Sequence, residues 1–126
     1  MGRIDNFKDL DIWVNAKNMA VNIYKITSYE RFKHDFNLKD QLRRSIVSIS
    51  SNIAEGFGRK NNKEFVHFLL IARGSCSESI TQIIIAEEIG YLSRKQRNDF
   101  EIELERLNNN IGKFITYLKK PKIINK

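Results

Sequence analysis

The sequence has few of the residues that break helices or cross-link chains. Its 126 residues include six glycines, one proline and one cysteine. Because glycine and proline mark most turns, their scarcity predicts an all-helical chain with short loops. The single cysteine, Cys76, excludes an internal disulfide bond and a metal site built from several cysteines.

Long apolar runs are missing as well. No stretch contains the about 18 consecutive apolar residues that a membrane span requires. The first residues, MGRIDNFKDLDIW, have no apolar signal core, and Asn6 departs from the myristoylation pattern. We therefore expect a cytoplasmic protein without a membrane partner.

The charge is strongly basic. Twenty-two Lys and Arg residues against 15 Asp and Glu residues give a formal net charge of +7. Such a charge favours a polyanionic partner, usually nucleic acid and less often a membrane surface. The alternative is genome composition, because 13 Asn and 18 Ile residues indicate a bias that raises lysine without selection for binding.

Hydrophobic periodicity and end signals predict four helices. The first runs from about Phe7 to Thr27, with Asn6 as its N-cap. The stretch SYERFKHDF follows as a connector. Asn37 is the expected cap of the second helix, which ends around EGFG, where either glycine can adopt the left-handed cap conformation.

The third and fourth helices have similar signals. Asn61 opens the third helix, which runs to about Gly90. Ser93 and Gln96 form a capping box for the fourth, and Pro121 ends it. Four helices of similar length with short loops predict an antiparallel up-down-up-down four-helix bundle. No linker or repeat divides the chain, so we expect one domain with a short basic tail from about residue 119.

Two neighbouring rows run along each middle helix. On the second helix, an apolar row of leucine and isoleucines lies beside a polar row made of Gln41, Ser45, Ser48, Asn52 and Glu55. On the third, Glu78 and Gln82 share a row with isoleucines, which predicts that both are at least partly buried. Since a bundle buries one stripe of each helix, the second row indicates contact with another copy of the chain. The alternative is a broad face that is wholly internal.

The polar rows predict a hydrogen-bonded network. Its expected members are Gln41, Ser48, Asn52, Glu55 and Glu78, with Arg44 as an alternative to Gln41. Small side chains let helix backbones approach closely, and a buried polar row can fix the register of an assembly at some cost in stability. The expected role of this network is structural rather than catalytic.

The stretches QLRRSIVSISSNIAEGFGR and FVHFLLIARGSCSESITQIIIAEEIGYL resemble a family of small bacterial four-helix bundle proteins, the 23S rRNA intervening-sequence proteins. FKDLDIWVNAKNMAVNIY resembles the first helix of that family, so the resemblance covers nearly the whole chain. Its most specific part is SISSNIAEG.

This resemblance implies a bundle that assembles into a ring, a pentamer. It also implies similarity to the accessory protein of diversity-generating retroelements, a basic pentameric bundle that works with a reverse transcriptase and nucleic acid. The family commonly has a second glutamate two residues after the position of Glu78, where this chain has Ile80. That departure implies a smaller polar network.

Catalytic and metal sites are not predicted. A di-iron bundle needs Glu-x-x-His on each of two helices, but EFVH, which ends at His67, is one match and His34 falls in a connector. Helical-bundle nucleases of the higher-eukaryote and prokaryote nucleotide-binding class place histidine four to six residues after an arginine, a spacing found at neither histidine. Cys76 lies in an apolar row, which indicates packing. We expect no enzyme activity, metal or cofactor.

Bundle topology sorts the basic residues between two ends. The expected nucleic-acid-binding residues, in the second-to-third loop and the tail, are Arg59, Lys60, Lys63, Lys119, Lys120 and Lys122. The opposite end gathers Arg31, Lys33, Arg94, Lys95 and Arg97. In a ring, each cluster would repeat in every subunit and bind phosphates with little sequence preference.

The expected partners follow from these clusters. Nucleic acid is the first, with RNA favoured over DNA, and few aromatic residues accompany the clusters, so base stacking is expected to be minor. One alternative is a lysine rim that keeps the ring soluble. Another is a protein-interaction scaffold that docks a nucleic-acid enzyme such as a polymerase.

Overall fold

The computed structural model describes residues 4–121, apart from the side chain of residue 30. A 3₁₀ turn at Phe7–Asp9 is followed by α1 (Asp11–Ile26), a short α2 (Glu30–Lys33), α3 (Phe36–Gly58), α4 (Asn62–Glu88) and α5 (Arg94–Lys119). No strand occurs within the described residues. The predicted all-α fold with four long helices is confirmed.

The four long helices form an antiparallel bundle. α3 packs between α1 and α4, while α5 packs on α4 and also contacts α1. The pairs Ser45–Ser79 and Ser48–Ser75 join α3 to α4 in opposite chain directions. Short connections between neighbouring helices give the up-down-up-down order that the sequence predicts.

The core is built from aliphatic side chains at the predicted helical spacing. Four residues of α3 are fully buried, namely Leu42, Ile46, Ile49 and Ile53. The predicted apolar row of α4 is buried as well, from Phe65 through Cys76 to Ala86. Burial of these rows provides the main favourable term in the folding free energy.

α4 contains the longest strongly apolar stretch among the described helices. By length and composition alone it could cross a membrane, contrary to the expectation from the sequence, and 33% of its most apolar stretch is buried inside the chain. A core helix with two packed neighbours passes the same test. Since α4 packs on both α3 and α5, part of its apolar surface is buried within the bundle.

The first predicted helix is divided in two. The side chain of Asn6 accepts a hydrogen bond from the backbone N–H of Lys8 at 2.9 Å and caps the 3₁₀ turn. Leu10 is extended, with ψ of 126°, and separates that turn from α1. Its side chain is buried in the core, so the extended residue still packs against the bundle.

α3 begins earlier than the sequence predicts. Asp35 rather than Asn37 is its N-cap, because Oδ1 of Asp35 accepts from the backbone N–H of Leu38 at 3.1 Å. Oδ2 of the same carboxylate accepts from the hydroxyl of Tyr91 at 2.8 Å. A residue distant in sequence therefore helps to select the cap.

The glycines at the end of α3 lie inside the helix, so the prediction of a left-handed glycine cap is wrong. At this end of α3, the residue with a positive φ is Lys60, at 60°. A Cβ added to Gly56 would lie 2.8 Å from Cδ1 of Phe65 and 2.9 Å from Cβ of Phe68. Glycine is needed at position 56 because α3 and α4 approach closely there.

The other end signals are confirmed. The side chain of Asn61 accepts from the backbone N–H of Glu64 at 3.1 Å and caps α4. Ser93 and Gln96 form the predicted capping box of α5. Gly90, with φ of 89°, ends α4 in the left-handed region that glycine favours.

Candidate nucleic-acid interface

The α3–α4 loop and the last turn of α5 lie side by side. Nδ2 of Asn62 donates to the carbonyl of Leu118 at 3.4 Å, and Lys63 and Lys119 line one small cavity of about 270 Å³. This arrangement groups five of the six predicted nucleic-acid-binding residues at one end of the bundle, and all five are exposed. We call this group the basic end; it consists of Arg59, Lys60, Lys63, Lys119 and Lys120. Lys122 lies outside the described residues.

The basic end contains few neutralising groups. Nε of Arg59 lies 3.8 Å from Oε2 of Glu55, a pair that is about half exposed. Such exposed pairs contribute little to stability and leave much of their charge open to partners. Among residues 4–121, no ion pair joins a carboxylate to the four lysines of the basic end. These four lysines are consequently not neutralised by ion pairs within the described part of the chain.

The opposite end is more balanced. There, three of the five basic side chains have partners within the described chain. These are Glu87 and Glu101 for Arg97, Asp99 for Lys95, and the carbonyl of Gly90 for Arg31. The structure therefore distinguishes the two clusters by how many of their basic side chains have partners within the described residues.

Aromatic rings surround a cavity beside the basic end. Phe65 forms edge-to-face contacts with Phe57 and with Phe114, at centroid distances of 6.1 and 5.5 Å. Tyr117 stacks on Phe114 at 6.0 Å with an interplanar angle of 12°. Nζ of Lys60 lies 5.0 Å from the centroid of the Phe57 ring. We call this space, about 610 Å³ in volume, the aromatic cavity.

Small polar side chains join α3 to α4 at the middle of the bundle. Oγ of Ser48 accepts two hydrogen bonds, one from the hydroxyl of Ser75 at 3.0 Å and one from Nδ2 of Asn52 at 2.9 Å. The Ser45 hydroxyl donates to Oε1 of Gln82 at 2.7 Å. These contacts satisfy the hydroxyls while letting the two backbones approach closely.

The single polar network predicted from the sequence is not formed within one chain. Gln41 donates to Oδ1 of Asn37 at 2.9 Å, and Glu55 pairs with Arg59. Glu78 is exposed and makes no hydrogen bond within residues 4–121, so its predicted burial is wrong for the single chain. Serines occupy the helix contact, and the longer side chains therefore lie outside it.

Of these longer side chains, Gln41 and Glu78 line an open groove between α3 and α4 of about 770 Å³, which we call the α3/α4 face. Glu78 and Arg44 are in its walls. Ile71 and Ile85 lie seven residues before and after Glu78, on the same side of α4, and are 42% and 44% exposed. The α3/α4 face thus carries the second row, which no element within residues 4–121 covers.

A second groove, of about 610 Å³, lies between α1 and α3 and is the α1/α3 face. Among the described side chains, its lining includes exposed Val21 and the cations Lys17, Lys25 and Arg43, but no carboxylate. Nε of Arg43 donates to Oγ1 of buried Thr27 at 2.8 Å. This face is apolar in the middle and basic at its rim.

Nucleophilic and metal-binding groups are few. Burial raises the pKa of the Cys76 thiol to about 12, while Arg73 nearby acts in the opposite direction. A thiol with this pKa is almost entirely protonated at neutral pH and is a poor nucleophile. Within the described residues, no three His, Cys, Asp or Glu side chains are grouped as a metal site would require.

The sequence model of one family matches most of this chain. The family is described as 23S rRNA-intervening sequence protein, and the match covers residues 8–113. The chain belongs to this family. No curated protein matches. The 23S rRNA-intervening sequence fold is also found in a crystal structure of a protein with unknown function from the S23 ribosomal protein family of Bacteroides thetaiotaomicron. That structure has a TM-score of 0.76 and 23% identity over 82% of this chain and 97% of the other.

Sequence reasoning missed two features of this 23S rRNA-intervening sequence protein. Aromatic side chains do accompany the basic end, contrary to the expectation, because Phe57, Phe114 and Tyr117 converge there from the ends of two helices. Arg43, which joins α3 to the end of α1, was not singled out. The position of several aromatic residues near helix ends was the available signal for the first feature.

Proposed function

We propose that this chain is a non-enzymatic, cytoplasmic homo-oligomer, a pentameric ring, that binds nucleic acid through phosphate contacts. RNA is the favoured ligand over DNA, in keeping with the family's description. The proposed contacts are Arg59, Lys60, Lys63, Lys119, Lys120 and Lys122. The observation that carries this proposal is the group of four lysines at the basic end that have no carboxylate partner among the described residues.

Unpaired surface lysines favour a phosphate backbone because each contact releases counterions from the nucleic acid. In a ring, the basic end of every subunit would lie on the same side, so the cationic surface would be several times larger than in one chain. Such a surface reads charge rather than base identity. Affinity should therefore depend steeply on salt and weakly on sequence.

Removal of charge at the basic end tests this proposal. The variant combines Lys60→Asn with Lys63→Gln and Lys119→Gln. Asparagine is chosen at position 60 because it tolerates positive φ better than most residues, so the turn should be retained. We expect weaker binding to a structured RNA and a shallower salt dependence, measured by fluorescence anisotropy.

A matched control removes three charges at the opposite end, by Lys33→Gln, Arg94→Gln and Lys95→Gln. This control should bind RNA nearly as tightly as the wild type at the same salt concentration. Equal losses in both variants would show that net charge alone governs binding. Unchanged affinity in the basic-end variant would contradict the proposed site.

Assembly is proposed to cover the α3/α4 face. A closed ring requires head-to-tail contact between two different faces of the chain. The α1/α3 face is a suitable counterpart, because its Lys17, Lys25 and Arg43 are complementary to Glu78 and to the neighbouring Asp40, although Arg44 opposes this pairing. Both faces also expose aliphatic side chains.

Mixing two assembly variants tests the head-to-tail contact. One carries Glu78→Lys and Ile85→Lys, and the other carries Lys17→Glu and Lys25→Glu. Each should be monomeric alone by light scattering, while an equal mixture should associate through the contact in which both faces are intact. The two charge-reversed faces are again opposite in sign, so assembly of the mixture can extend beyond a dimer. A mixture that stays monomeric would contradict this pairing, and a monomeric wild type would contradict assembly itself.

A protein-interaction scaffold that docks a nucleic-acid enzyme is the second candidate. Exposed Leu70 of α4 and Ile102 of α5, at 52% and 54%, favour it because these aliphatic side chains lie outside the two proposed assembly faces. A specific protein that co-purifies despite nuclease and high salt, together with no intrinsic RNA binding, would support this candidate instead.

A further inference from the structure

The aromatic cavity has the properties of a site for a flat ligand. Its volume, about 610 Å³, falls in the range of small-molecule sites. Phe57, Phe65, Phe114 and Tyr117 form a continuous series of ring contacts along it. The outermost ring, that of Tyr117, is 61% exposed, so a face or edge of it is open to a partner.

The surroundings of the cavity are cationic. Of the described residues, Lys60 is in its lining and no Asp or Glu is, and the lysines of the adjacent loop and of the α5 end lie next to it. Aromatic rings beside unpaired lysines match the two parts of a nucleotide, a planar base and an anionic phosphate. Charge and shape thus favour the same occupant.

We propose that the aromatic cavity holds an unpaired nucleobase, stacked against Tyr117, while the lysines of the basic end hold the flanking phosphates. This inference rests on the proposed nucleic-acid binding and adds a ligand class to it, namely single-stranded segments, loops or ends. A base inside a duplex is already stacked and cannot enter the cavity.

The experiment compares a single-stranded RNA with a blunt duplex of the same sequence, using the full chain. The wild type should bind the single strand more tightly. Tyr117→Ala should weaken single-strand binding by about 5- to 150-fold, the usual effect of losing one base–aromatic stack, and leave duplex binding unchanged. Tyr117→Phe, which keeps the ring, should bind like the wild type.

Salt dependence separates stacking from charge. Tyr117→Ala should lower single-strand affinity at every salt concentration without changing the log–log slope, whereas loss of a lysine should reduce the slope. Tyr29→Ala is the matched control, because Tyr29 is similarly exposed, at 66%, and lies at the opposite end of the bundle. Tyr29→Ala should change neither the affinity for the single strand nor the affinity for the duplex.

Several results would overturn this inference. If the wild type binds both RNAs equally and with a steep salt slope, the proposed function stands but the base site does not. The same holds if Tyr117→Ala weakens both complexes equally or weakens neither. If Tyr117→Ala lowers the oligomer mass by light scattering, the cavity belongs to a subunit contact. If the wild type binds neither RNA, the proposed function fails as well.

Discussion

Replacement of Gly56 by alanine tests the close approach of α3 and α4. Inside a helix, Gly→Ala normally stabilises a protein by about 0.5–1 kcal/mol. At position 56, however, the new Cβ would lie 2.8 and 2.9 Å from side-chain atoms of Phe65 and Phe68. The Cβ of Phe68 can move only with its backbone. We therefore add an overpacking cost of about 1–3 kcal/mol.

Gly74 provides the matched control. It lies inside α4, and a Cβ added there would have nothing within 4 Å. Because both variants gain the same helix propensity, the difference in their free energies of unfolding isolates the overpacking cost, about 1–3 kcal/mol. The assay is urea unfolding followed by circular dichroism at one protein concentration, because the proposed assembly would make stability depend on concentration. If Gly56→Ala is as stable as Gly74→Ala, the close approach is not as we describe it.

Three further predictions concern helix ends and the buried thiol. Gly90→Ala should lower the free energy of unfolding by about 1 kcal/mol, because position 90 has φ of 89°; an unchanged urea midpoint would contradict this. Tyr91→Phe should destabilise the protein at neutral pH. The hydrogen bonds from the Leu38 N–H and from Tyr91 lower the Asp35 pKa, and Asp35 raises the Tyr91 pKa. The loss of stability in the variant should therefore shrink as pH falls through the Asp35 pKa and as pH rises through the Tyr91 pKa. A loss of stability that does not depend on pH would count against this hydrogen bond. Cys76, with its pKa raised to about 12 from 9.0, should react with a thiol reagent at pH 8 about a thousandfold more slowly than in urea, whereas rapid labelling of the native protein would refute its burial.

Helix existence could be predicted from the sequence because apolar periodicity depends on each helix alone. The precise ends could not always be predicted, because they depend on tertiary contacts. The stretch DFN offers Asp35 and Asn37 as caps for α3, and the hydroxyl of Tyr91, 56 residues away, contributes to the selection of Asp35. In the same way, Gly56 is explained by Phe65 and Phe68 across the helix pair, not by the local turn.

In the candidate site, too, some features follow from topology and sequence alone and others depend on tertiary contacts. The basic end could be predicted, because antiparallel topology alone places the α3–α4 loop beside the end of α5. The aromatic cavity could not, since it requires side chains from the ends of several elements to converge. The polar network was predicted from rows of residues, but only its Ser48–Asn52 part forms inside one chain. A row indicates a shared face and does not determine which side chains meet.

The most direct test of the central claim is the salt dependence of RNA binding by the wild-type protein. Affinity for a structured RNA is measured by anisotropy at several salt concentrations, with the oligomer mass checked in each buffer. We predict that affinity falls steeply with salt, with a log–log slope of roughly five or more, because several basic ends contact phosphates together. No binding at low salt, or binding that does not change with salt, would contradict the account.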